Sequence, residues 1–148
     1  MILKPYREVF SLHDSKIFSI KRREKDLEIS LASMVIFENG NSLSIDNPKI
    51  ICHDLIDIEA NRDYPVRIVT FEKNPKNLTI DEFKAYTFDI IEEAYGEGLI
   101  HFYGIGNIYK NGRPSAFDMT IDIFYRGELE VIWSRKDQVE IKGQYGIK

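Results

Sequence analysis

The chain has 148 residues, 43% hydrophobic and 30% charged, a composition that excludes a disordered polyelectrolyte and suits one domain, residues 1–148, with its own core. Its single cysteine, Cys52, excludes an intramolecular disulfide. The net charge of −4 is uneven: residues 1–78 carry 12 acids and 12 bases, residues 79–134 carry 10 and 4, and residues 135–148 carry 2 and 4.

Strand-like segments come first. Tyr6–Leu12, Lys16–Lys21 and Leu27–Phe37 read as strands, followed by Ser42–Ile45, Ile50–Ile58 and Val66–Phe71. Turn residues punctuate them at His13-Asp14-Ser15, Asn39-Gly40, Asp46-Asn47-Pro48, Asn61-Arg62-Asp63 and Asn74-Pro75-Lys76-Asn77. Leu27, Ile29 and Leu31 alternate with Glu28 and Ser30, the pattern of a half-buried strand. From Met34 to Phe37 both faces are apolar, which predicts cover on both sides. The basic run Lys21-Arg22-Arg23-Glu24-Lys25 falls between two strands and reads as a solvated turn.

Thr79 and Glu82 then spell a capping box. Phe83, Tyr86, Thr87, Ile90, Ile91, Ala94 and Tyr95 follow at three- and four-residue spacing, which predicts an amphipathic helix over about 80–95. Gly96 and Gly98 would stop it.

Asn111-Gly112 predicts a two-residue hairpin turn that pairs Lys110 with Arg113. The register behind it sets Gly104, Gly106, Phe102 and Ile100 opposite Met119, Phe117, Ile121 and Ile123, an apolar face on which the glycines leave room for large side chains. On the other face His101 meets Asp122, Tyr103 meets Thr120 and Ile105 meets Asp118. A three-residue turn at Arg126-Gly127-Glu128 would add Leu129, Val131 and Trp133 to the apolar face, and Glu130, Ile132 and Ser134 to the polar one. The expected fold class is therefore α+β: a predominantly antiparallel, meandering sheet of about 8–9 strands, able to curl toward a barrel, with one main helix packed on it.

No catalytic, metal-binding or nucleotide-binding signature is complete. His101 beside Asp122 could act as an oriented base, but the register brings no serine or cysteine nucleophile to it. Cys52 and His53 are consecutive in a strand and point to opposite faces, so they form no dyad. His13, His53 and His101 lack metal-ligand spacing, so no metal is expected, and no cofactor. Gly104-Ile105-Gly106 and Gly96-Glu97-Gly98 lack the third glycine of a dinucleotide loop. The acidic bias argues against a nucleic-acid partner. No apolar run approaches the ~20 residues of a membrane span, and Met1-Ile2-Leu3-Lys4-Pro5 has no signal-peptide core, so a cytoplasmic protein is expected.

What remains is the outward face. Asp118, Asp122, Glu128 and Glu130 are expected to share it with Tyr103, His101 and Phe124. Carboxylates around aromatic anchors suit a steered, tight interface. The sequence reading is a non-enzymatic protein-binding module of the immunity or inhibitor type, which occludes a basic partner such as a bacterial toxin. A carrier with an apolar cavity is the first alternative. A hydrolase or isomerase using His101 with Asp118 or Asp122 is the second.

Overall fold

The computed structural model describes residues 2–3, 10–56, 65–134 and 138–141. Most of the expected strand at Tyr6–Leu12, the end of Ile50–Ile58 and the Asn61-Arg62-Asp63 turn lie outside these residues.

Short strands with tight turns dominate. They are β1 (Ile2–Leu3), β2 (Phe10–Ser11), β3 (Lys16–Arg23), β4 (Asp26–Leu31), β5 (Ser33–Glu38), β6 (Asn41–Asp46) and β7 (Lys49–Cys52). After them come β8 (Val66–Thr70), β9 (Lys76–Leu78), a helix α1 (Ile80–Phe83), β10 (Thr87–Gly96), β11 (Leu99–Lys110), β12 (Arg113–Phe124), β13 (Leu129–Ile132) and β14 (Gln138–Ile141). Every ladder is antiparallel. A ten-stranded sheet runs β1-β13-β7-β4-β3-β10-β11-β12-β8-β9, and a four-stranded sheet runs β14-β6-β5-β2.

The large sheet does not close into a barrel: among the described residues β1 pairs only with β13 and β9 only with β8, so they form its two edges. One corner is drawn together: Leu55, beyond β7, bridges Tyr125, and Arg126 and Gly127 donate to the carbonyls of Asp54 and His53. The expected strand over Leu27–Phe37 is two strands. The chain bends at Ala32, whose N–H donates to Lys16 O, and β5 enters the small sheet. There Met34 and Ile36 are buried, while Val35 and Phe37 are half-buried. Asn39 and Gly40 take positive φ and join β5 to β6 with Glu38 opposite Asn41, as a two-residue turn requires.

The inner faces of both sheets meet in one core. Phe83, Phe88 and Phe102 are fully buried there, and Met34, Ile36 and Ile45 enter it from the small sheet. Trp133, expected in the core, is only partly buried at its edge.

The expected helix over 80–95 is corrected. The capping box forms, with Thr79 Oγ1 accepting from Glu82 N and Glu82 Oε1 accepting from Thr79 N, both at 3.0 Å. It starts only four helical residues, and Thr87–Gly96 is a strand paired with β11 and, at its first half, β3. A β-bulge between Ile90 and Glu92 explains the misleading spacing. Phe88 and Ile90 point inward before it, and Glu93 and Tyr95 after it, so the alternation changes parity and imitates a helical period. β-Branched and aromatic residues throughout the segment then favour the strand.

Candidate functional site

The Asn111-Gly112 turn adopts positive φ at both residues, and the β11–β12 register follows from it: His101 with Asp122, Tyr103 with Thr120, Ile105 with Asp118 and Lys110 with Arg113. This is the expected hairpin. Its inward face buries Ile100, Phe102, Met119, Ile121 and Ile123. Its outward face carries His101, Tyr103, Asp118, Asp122 and a half-buried Phe124.

On that face His101 Nδ1 lies 2.5 Å from Asp122 Oδ1. The Tyr103 hydroxyl donates to Asp118 Oδ1 at 3.1 Å, and this bond holds the phenol proton, raising the Tyr103 pKa. From β10, Glu92 stands opposite Tyr103 and Asp89 opposite Ile105. Asp89 is met by Lys16 Nζ at 3.6 Å and by Asn107 Nδ2 at 2.9 Å. Asp122 stands opposite Arg67 of β8 in the ladder. Glu92 and Asp118 are exposed and form no ion pair among the described residues.

Glu128 and Glu130 do not join this group by strand pairing. No ladder connects β13 to β12; instead β13 lies between β1 and β7, with Leu129 opposite Cys52 and Val131 opposite Ile50. The turn after Phe124 is consumed by the drawn-in corner, which turns β13 away from the hairpin. Leu129 and Val131 are buried as expected, but Glu130 faces a different neighbour.

That neighbour is His53. Its Nε2 lies 2.9 Å from Glu130 Oε1, and its Nδ1 lies 3.3 Å from Asp26 Oδ2. The Glu130 bond, and secondarily the Asp26 charge, raise the His53 pKa against the opposing effect of burial. Beside it Glu28 pairs with Lys49 at 2.9 Å and Arg23 at 3.0 Å; the Lys49 bond chiefly lowers the Glu28 pKa. The two carboxylates approach opposite nitrogens of one ring, so they share no common point for an ion. Among the described residues no three His, Cys, Asp or Glu side chains converge on a metal. Cys52 points the other way and is fully buried, which pushes its thiol up to about 12. A thiol so protonated is a packing group, not a nucleophile.

A further buried carboxylate escaped the sequence reading. The bulge turns Glu93 inward, where its Oε2 accepts the Leu12 N–H at 2.7 Å. Burial raises its pKa. The Tyr95 hydroxyl is buried nearby, and burial first, then the neighbouring Glu93 carboxylate, raises its pKa. The signal was a Glu-Glu pair inside an apolar strand, but only the position of the bulge decides which glutamate turns inward.

Compared with known proteins, the chain matches no family model, no curated protein and no solved structure. Among the described residues no helix is long and apolar enough to cross a membrane.

Proposed function

We propose that the chain is a non-enzymatic protein-binding module that occludes a basic partner with the outward face of β10, β11 and β12. The observation that carries this reading is the pair Glu92 and Asp118, exposed carboxylates that form no ion pair among the described residues and flank the Tyr103 ring on adjacent strands. Unpaired carboxylates beside an aromatic anchor draw in a cationic surface and then offer it a contact to bury. The β10–β11 and β11–β12 ladders hold them in register beside Tyr103, so little further ordering is needed on binding. An immunity protein that neutralises a basic toxin is the physical type, by likeness of charge and size. Glu130 is left out of the interface because His53 occupies it.

The test begins with tagged protein exposed to host lysate, eluted by a salt step and identified by mass spectrometry. The captured protein is then purified and its association measured. Glu92→Lys and Asp118→Lys should slow association about tenfold at low salt, with the difference fading as salt screens it. A partner that associates equally fast with both variants would remove this face from the interface.

A further inference from the structure

At the other end of the β11–β12 hairpin, where it passes the stretch between α1 and β10, lies an open cleft of about 520 Å3. Three features set it apart from the acidic face. First, its lining holds two lysines, Lys16 and Lys84, and no carboxylate, within a chain of net charge −4. Second, its walls include Phe18, 49% exposed, and Tyr109, 77% exposed, both costly to leave in water. Third, strand alternation turns Phe18 away from the buried Ile17 and onto the cleft wall, while the β3–β4 register shift between Ile17 and Ser19 returns Ile20 to the core. Small side chains at Ala85, Thr87, Ser115 and Ala116 complete the lining together with Tyr86 and Ile108.

We propose that this cleft binds a small anion with a flat apolar body, an aromatic carboxylate in chemical class. The rings of Phe18 and Tyr109 would take the flat body, and the two amines the anionic end. Both amines are already ordered, but by weak partners. Lys84 Nζ lies 2.8 Å from Asp81 and Lys16 Nζ 3.6 Å from Asp89, each pair being solvent-exposed. Exposed pairs of this kind contribute little, so an entering carboxylate competes with them readily. The volume falls within the ~300–1,000 Å3 of small-molecule sites. The cleft adjoins the acidic face through Lys16 and Asn107, which both meet Asp89, but its lining includes neither Glu92 nor Asp118.

The probe is 2-naphthoate, titrated into isotopically labelled protein and followed through backbone amide shifts, with neutral 2-naphthalenemethanol alongside. Saturable shifts are expected at Lys84–Thr87, Asn107–Tyr109 and Ser115–Ala116, with the neutral compound much weaker. Lys16→Gln, at a half-buried position, and Lys84→Gln, at an exposed one, should each weaken 2-naphthoate about fivefold, and Tyr109→Ala at least as much. Unchanged spectra away from the cleft show that the variants are folded. Absence of saturation up to millimolar probe, shifts centred elsewhere, or equal affinity in the lysine variants would each overturn the assignment.

Discussion

Gly104 and Asp89 approach so closely across the β10–β11 ladder that a β-carbon on Gly104 would fall 1.9 Å from the Asp89 carbonyl oxygen. The same β-carbon would lie 2.9 Å from the Phe88 ring. The sequence reading gave Gly104 the task of making room for Met119 opposite; the space is in fact taken by the backbone and ring of the other neighbour. Gly106 does yield to Met119, whose Cε would lie 2.5 Å from an added β-carbon. Backbone cannot move aside cheaply, whereas the end of a methionine can. Gly104→Ala is therefore expected to cost about 3 kcal/mol or more and Gly106→Ala about 1 kcal/mol, measured by urea unfolding. Equal costs would mean that β10 shifts freely, and that the bulge beside it is not fixed.

His53 ties the corner where the sheet is drawn together, and this tie is expected to depend on pH. Its folded pKa is raised by Glu130 first, then by Asp26. The folded chain thus holds the proton more tightly than the unfolded chain does. The stabilisation is fully present below the unfolded value of about 6.5 and is lost as pH rises through the folded pKa. The ring and the Glu130 side chain are each about a third exposed, 34% and 32%, so solvent screens the effect. We expect about 1 kcal/mol or less between pH 6 and pH 8.5, and a smaller difference in His53→Gln. The opposite slope, or an unchanged one in the variant, would show that His53 does not fasten the corner.

Burial disfavours a charge on Glu93, so its role separates into acceptor and charge. Glu93→Gln keeps an oxygen for the Leu12 N–H and removes the charge; Glu93→Ala removes both. Because the folded pKa is raised, the contribution of this group to stability is present below its ordinary value of 4.5 and is lost as pH rises through the folded pKa. At neutral pH the glutamine variant should therefore match or slightly exceed the parent in thermal unfolding. The alanine variant should lose about 1–3 kcal/mol through the orphaned N–H. If glutamine is as harmful as alanine, the charge itself holds Leu12.

These predictions rest on features of unequal visibility in the sequence. The Asn111-Gly112 turn determined the pairing of Leu99–Lys110 with Arg113–Phe124, because a two-residue turn leaves one register and side chains alternate from there. Thr79 and Glu82 marked a helix start correctly, but a cap says nothing about length. The extent of the element was decided by ladders to Lys16–Ile17 and Leu99–Asn107, which no local pattern reveals. β13 was assigned to the wrong neighbour for the same reason: Leu129 and Val131 alternate identically beside β12 or β7, and only the remote Cys52 and Ile50 choose between them. The acidic group split in consequence. Asp118 and Asp122 were legible from the hairpin, whereas the association of Glu130 with His53 and Asp26 depends on the curl of the whole sheet.

The two aspartates of β12 should differ in what they do for the fold, although they share a face. Asp118 gives up one exposed phenol bond when replaced, so Asp118→Lys should change stability by about 0.5 kcal/mol or less. Asp122 stands between His101, to which it bonds, and Arg67, its ladder partner, and its side chain is only 22% exposed. A lysine there would lose the His101 bond and stand directly opposite the Arg67 cation, and like charges directly opposite in a sheet are unfavourable. Asp122→Lys is expected to cost on the order of 1–2 kcal/mol by urea unfolding, with Asp122→Asn between it and the parent. Losing Asp122 at no cost would mean that His101 and Arg67 find other partners. The residue would then be as free as Asp118 to serve an interface, and the acidic surface would extend to the end of the hairpin.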